Sequence, residues 1–170
     1  MAIHVHQPCP PDMFEVDPFQ KIPQEWTAIS AGTEEKSNTM TASWGGFGTI
    51  WDRRTVFVFV RESRYTKEFM DGQRGFSLSF FEKKYHSMLK YFGSVSGRDE
   101  DKMKNARMVF SYYKGVPYIN EANLVLICKK LAAVPMPKET ISLPVVDQMF
   151  YEHGDYHTMY VGEITMVLAR

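Results

Sequence analysis

Four short stretches of this chain gather residue types that bind or react, and the densest is Arg61-Glu62-Ser63-Arg64-Tyr65-Thr66. It stands where an apolar run ends and a helical pattern begins. A helix start presents unpaired amides and the positive end of a dipole, so anions settle there. Arg61 and Arg64 add forked donors and Thr66 a hydroxyl, which together are the equipment of a phosphate site. A capped helix with two solvated arginines accounts equally well for this segment by itself. In Asn38-Thr39-Met40-Thr41-Ala42-Ser43-Trp44, small hydroxyl residues alternate with apolar ones, and Gly45, Gly46 and Gly48 follow. Strand-edge amides and hydroxyls suit the polar rim of a heterocycle, and glycine admits close backbone approach. Taken alone, the stretch reads more simply as a strand running into a Gly-rich hairpin.

The third stretch, Ser94-Val95-Ser96-Gly97-Arg98-Asp99-Glu100-Asp101-Lys102, puts serines, a glycine and two bases before a helix. It offers a second polar wall. Asp99 as a cap, with Glu100 and Asp101 in the first turn, also makes an ordinary helix start, and that reading is favoured. The fourth, Glu152-His153-Gly154-Asp155-Tyr156-His157, invites a metal, but no further ligand cluster accompanies it. His4 and His6 belong to a proline-rich arm. A histidine hydrogen-bonded at a strand entry, or lining a pocket mouth, is commoner, and no metal is expected. The chain has no G-x-S-x-G, Walker loop or H-E-x-x-H, and its glycines make no G-x-G-x-x-G turn ahead of a helix. No catalytic nucleophile or acid emerges.

The elements that must position these residues are mostly strands. Thr55 to Val60 is β-branched or aromatic throughout, as in a strand covered on both faces. Phe76, Leu78 and Phe80 alternate with serines, Leu124 to Cys128 form another run, and Met159 to Leu168 contain Gly162, where a bulge or bend fits. Helices are short. Ser63 can cap one running from Arg64 to Asp71, with Gly72 terminating it. Tyr85, Met88, Leu89 and Phe92 give residues 82–92 one apolar face. A third helix starts near Asp99 and turns Met103 and Ala106 inwards. The expectation is a mainly β protein, a β-barrel with helical insertions, as one domain over residues 24–170. Residues 1–23, with prolines at 8, 10, 11, 18 and 23, are expected to form a loose N-terminal arm.

The 170 residues suffice for a buried core. Twenty basic residues balance twenty acidic ones, so no long-range field favours nucleic acid or an anionic membrane. No stretch approaches the roughly 18 apolar residues of a membrane span. Cys9 and Cys128 lie far apart with no metal or redox spacing, and the N-terminal residues show no apolar signal segment, so a reducing, cytoplasmic setting is expected.

In their order, these segments resemble the flavin reductase-like family, most closely its flavoredoxin-type branch. The matching stretches are NTMTASWGGFGTIW (38–51), VFVFVRESRYTKEF (56–69), FSLSFFEKKY (76–85), FGSVSGRDEDK (92–102), EANLVLICKKL (121–131) and DYHTMYVGEI (155–164). The resemblance implies an FMN-binding split barrel of Greek-key type that forms a homodimer. It implies FMN as cofactor, NAD(P)H as co-substrate and a redox partner protein. Residues 38–44 would border the isoalloxazine ring, with the hydroxyls of Thr41 and Ser43. Arg61, Arg64, Tyr65 and Thr66 would hold the phosphate and ribityl end. Ser79, Phe80 and Phe81 would pass near the pyrimidine side, Ser94, Ser96, Gly97 and Lys102 would close the site, and His157 would neighbour the flavin. The implied activity is flavin reduction by NAD(P)H, or else electron transfer by bound FMN without direct nicotinamide oxidation.

Overall fold

In the computed structural model, which describes residues 5–170, the expected strands form one antiparallel sheet. In chain order its members are β1 (Gln7–Cys9), β2 (Thr27–Gly32), β3 (Ser37–Ala42), β4 (Gly45–Ile50), β5 (Arg53–Arg61) and β6 (Gly75–Phe80). A separate hairpin, β7 (Phe110–Tyr113) and β8 (Val116–Ile119), precedes the long strands β9 (Leu124–Pro135) and β10 (His157–Ala169). The short helices are α1 (Pro18–Lys21), α2 (Tyr65–Gly72), α3 (His86–Ser94), α4 (Lys102–Asn105) and α5 (Pro144–Phe150).

The strand order is β3-β2-β6-β9-β10-β5-β4, with β1 added to β10. One apolar cluster takes Met40 from β3, Leu78 from β6, Leu126 from β9, Tyr160 from β10 and Val58 from β5. Strands from both ends of the order therefore face each other, and the sheet curls into a barrel. Among the described residues no ladder closes it: β3 and β4 follow each other in the chain yet lie at opposite ends of the order. The chain crosses this open seam at Ser43 and Trp44. A second cluster, with Ala28, Leu89, Phe92, Ile119, Val125 and Ile127, packs α3 and the β7–β8 hairpin on the outside of the sheet. Leu126 faces one cluster and Val125 the other, which explains why these strands read as continuous apolar runs.

Gly162 sits at a register shift between β10 and β9, as its place in an apolar strand led one to expect. A Cβ there would lie 2.5 Å from Phe76 Cζ. The glycines at 45, 46 and 48 belong to β4, which pairs with β5 through a turn at Trp51 and Asp52, both at positive φ.

The helix starts differ from expectation. Arg64, not Ser63, occupies the cap of α2 and gives no side-chain cap bond. The Ser63 hydroxyl is drawn to Asp155 instead, at 2.7 Å. α3 begins at His86 after a 3₁₀ turn at Lys83–Tyr85, and α4 is capped by Asp101 rather than Asp99. The proline-rich arm is also less loose than its composition implies. β1 pairs with the end of β10, Ile22 is fully buried, and His6 Nε2 lies 2.8 Å from the Ala122 carbonyl. Its apolar residues find barrel surface to cover. His4 lies outside the described residues.

Candidate functional site at the open seam

Two adjoining pockets, each of about 200 Å³, lie along the seam. Met40, Thr41, Ala42, Ser43 and Trp44 form one lip of the first, and Phe59, Arg61, Arg64 and His157 the other. The β5–β10 register sets Arg61 opposite His157, which places both at that lip. The second pocket is lined by Asn38, Ser63, Arg64, Tyr65, Thr66, Ser94, Val95, Ser96, Gly97 and Lys102. Arg64 lines both, so the two are halves of one groove.

The second half is built around cations. Lys102 is only 3% exposed, and its Nζ reaches the carbonyls of Phe92 and Val95 at 3.4 Å each, the long limit of a hydrogen bond. Arg64 donates to the Gly93 carbonyl at 2.8 Å and the Phe92 carbonyl at 3.2 Å. Among the described residues neither forms an ion pair. Burial lowers both pKa values, and the neighbouring Arg64 charge helps bring Lys102 down to about 8. Carbonyls at the end of α3 gain from nearby cations, yet they neutralise no charge. Thr66 Oγ1 accepts from Asn38 Nδ2 at 2.9 Å, leaving its own proton to donate. No side chain caps α2, so its leading amides add further donors here. The donor set fits a dianionic phosphate.

The first half is flatter and more apolar. Thr41 Oγ1 donates to the Leu89 carbonyl at 2.5 Å, tying β3 to α3. Trp44 meets Phe150 edge-on at 5.2 Å and His157 at 5.3 Å. The His157 Nδ1 lies 2.7 Å from the Tyr151 hydroxyl. Desolvation first, and Arg61 second, push its pKa down to about 4, so the ring is uncharged at neutral pH.

The structure brings together most of the expected residues: Asn38, Met40 to Trp44, Arg61, Arg64, Tyr65, Thr66, Ser94, Ser96, Gly97, Lys102 and His157. It brings both arginines to the first pocket but only Arg64 to the second. Arg61 lines only the first pocket, where Nη1 donates to the Asp155 carbonyl at 2.9 Å and Nη2 to that of Phe150 at 3.1 Å. Its guanidinium also lies over Tyr151. It anchors the segment after α5 rather than the anion pocket. Thr39 points into the protein, donating to the Ile29 carbonyl at 3.0 Å. Ser79 and Phe80 are fully buried; Ser79 Oγ accepts from the Ile119 amide. Phe81 belongs to the outer apolar cluster. With β2 between β6 and β3, none of these three lines the groove. Phe59, Ser63 and Val95 line it and were not expected to. Phe59 had a signal: in Val56-Phe57-Val58-Phe59-Val60 the valines are buried and the phenylalanines half-buried, so aromatic and β-branched residues mark the two faces.

An antiparallel split barrel with its groove along the unclosed seam defines a class, the FMN-binding split barrels. Residues 19–170 match the flavin reductase like domain, and the chain belongs to that family. Among solved structures it is similar to flavoredoxin from Methanosarcina acetivorans, with a TM-score of 0.67, 22% identity, and 92% of this chain and 76% of that one covered. It is also similar to an FMN-binding protein from Thermus thermophilus solved with bound 1-cyclohex-2-enone (TM-score 0.64, 22% identity, 99% and 80% covered). Flavoredoxin of Desulfovibrio vulgaris (Miyazaki F) gives a TM-score of 0.66 at 19% identity, with 99% and 74% covered. No curated protein matches. No helix among the described residues is long and apolar enough to cross a membrane.

Proposed function

We propose that this chain binds FMN along the seam and acts as an NAD(P)H-dependent flavin oxidoreductase. The phosphate would sit among Arg64, Thr66, Lys102 and the start of α2, and the ring between residues 40–44 and Phe59, Arg61 and His157. One observation carries the reading: buried Lys102 and half-buried Arg64, neither in an ion pair among the described residues, stand at the end of a flat, partly apolar groove. The flavin would supply the redox chemistry, taking a hydride from NAD(P)H and passing the electrons on. The protein's part is binding and electrostatics. Arg64 and Lys102 hold the phosphate, the hydroxyls of Thr41 and Ser43 border the ring, and the uncharged His157 leaves Arg61 as the cation on that side.

The burial of Lys102 in the anion pocket favours a second reading, in which FMN is held tightly and the protein carries electrons to a partner without oxidising nicotinamide itself. Titrating purified protein with FMN, then following NADH and NADPH oxidation, tests both. Tight binding with rapid oxidation supports the reductase. Tight binding without oxidation, together with reduction by a ferredoxin-like donor, supports the carrier, and no affinity for FMN overturns both. A cytoplasmic setting accords with Cys9 and Cys128 being unpaired. We also propose a homodimer, for which the exposed apolar residues beside the groove, Trp44, Phe150, Met149 and Leu143, provide a surface.

A further inference from the structure

His157 stands in the ring half of the groove with one of its two nitrogens already committed. Its Nδ1 lies 2.7 Å from the Tyr151 hydroxyl, which is the ring's one hydrogen bond among the described residues. Nε2 has no protein partner there and is not sealed from solvent, so it opens onto the groove that the imidazole lines. A neutral imidazole carries a single N–H, and the partner of one nitrogen decides which of the two holds it. The Tyr151 phenol settles the choice. Tyr151 is buried, and burial pushes its pKa up, so the hydroxyl keeps its proton at neutral pH. Among the described residues His157 Nδ1 is the hydroxyl's sole hydrogen-bond partner. Were Nδ1 the donor, the phenol would accept that proton and leave its own without a protein acceptor, which a largely buried group does at a cost. With Tyr151 donating, Nδ1 accepts, and the ring's proton falls on Nε2.

The phenol is held to this task from several sides. The Tyr151 ring stacks on Tyr156 at 4.6 Å, and the Tyr156 hydroxyl donates to Asp147 in α5 at 2.5 Å. The Arg61 guanidinium lies 5.3 Å from the centre of the Tyr151 ring and donates to the carbonyls of Phe150 and Asp155. Arg61 therefore holds the residue that orients His157. Burial first and Arg61 second oppose a further proton on the imidazole, while Asp155 favours one.

We infer that Tyr151 is a positioning residue: it fixes His157 as the Nε2–H tautomer, so that His157 gives the groove an uncharged hydrogen-bond donor and no base. A ring bound in the first pocket then has to present an acceptor on that side, a carbonyl oxygen or an unprotonated ring nitrogen. The acceptor rests on the flavin reading above; the tautomer does not.

Long-range proton–nitrogen NMR spectra of the nitrogen-15-labelled protein at about pH 7 read the tautomer directly, with His157→Gln identifying the ring's signals. In the native protein Nδ1 should resonate as an unprotonated nitrogen and Nε2 as a protonated one. In Tyr151→Phe the two shifts should move towards each other as the Nδ1–H form gains population. A native Nδ1–H tautomer overturns the inference, and unmoved shifts in a folded Tyr151→Phe protein overturn the part given to Tyr151. Since the native spectrum is decisive for the tautomer alone, that outcome does not depend on whether the variant folds. Adding FMN tests the donor: binding, followed separately by flavin fluorescence, should shift the Nε2 signal and that of its proton. Bound FMN without such a shift overturns the donor's part in binding. Failure of FMN to bind overturns the flavin reading itself and leaves the tautomer standing.

Discussion

Lys102 concentrates the chemistry of the anion pocket in one amine. Its pKa of about 8 lies below the ordinary 10.5 because burial and Arg64 penalise the charge, and a bound phosphate would reverse that penalty. FMN affinity should therefore be level between about pH 7 and 8, above the second ionisation of the phosphate at about 6, and fall as pH rises further, since binding then requires proton uptake. Riboflavin, which lacks the phosphate, should show no such fall, and Lys102→Met should abolish the slope. At pH 7 that substitution removes a charge-assisted contact of about 1.5–3 kcal/mol, so FMN should bind some ten- to hundredfold more weakly in a calorimetric titration. The ligand-free protein has the opposite dependence. Between about pH 8 and 10.5 the unfolded chain holds the Lys102 proton more firmly, so this residue's contribution to stability rises with pH across that window. His157 also has a depressed pKa, about 4 against 6.5, but its window is acidic. Its contribution is intact above pH 6.5 and is lost as pH falls towards 4. Because Arg61 is the second cause of that depression, Arg61→Gln should raise the His157 pKa while leaving it below 6.5, as an NMR titration of the ring protons would read.

At the scale of elements, β10 depends on Gly162. Phe76, 1% exposed in the core, has nowhere to retreat from a Cβ placed 2.5 Å from its ring. Gly162→Ala should cost about 1–3 kcal/mol in urea unfolding, and adding Phe76→Leu should return part of it by making room. This position was legible in the sequence because a lone glycine in an apolar strand has few other reasons to exist. So were the strands themselves, whose β-branched and aromatic runs survive any uncertainty about their ends. The helix starts were not. Ser63 has the right chemistry for a cap, but a long-range partner, Asp155, takes its hydroxyl and its backbone amide at 2.7 and 2.8 Å. Arg61 was set with Arg64 by sequence proximity, whereas the carbonyls it donates to come from some ninety residues further on. Most of the groove's lining was legible because it comes from three continuous stretches. Ser79, Phe80 and Phe81 were not, because only the strand order shows β2 standing in between. The Ser63–Asp155 bond ties the turn before α2 to the segment after α5, which Arg61 also holds. Asp155→Ala should therefore quicken amide exchange in residues 144–156 while leaving β9 protected.

Over the whole molecule, the fold leaves an unclosed seam, and the surface beside it is not an ordinary monomer surface. Trp44 and Phe150 are each 41% exposed at the groove's edge, and Met149 is 69% exposed on the adjacent α5. Leu143 and Val145 extend the patch in the same segment. The net charge is zero, so no general repulsion keeps copies apart. A second copy covering this patch would shield the apolar side of the groove from water and strengthen every electrostatic contact within it. Light scattering on the purified protein at micromolar concentration should give twice the chain's mass. Met149→Asp, which puts a charge in the exposed patch without touching the phosphate pocket, should shift the population towards monomer. If the partner covers the ring half of the groove, the same substitution should weaken riboflavin and FMN binding by similar factors, since the lost contacts lie at the ring and not at the phosphate. A monomer in the native protein at those concentrations would remove the homodimer from the proposal, and FMN would then have to be held by the two walls of a single chain.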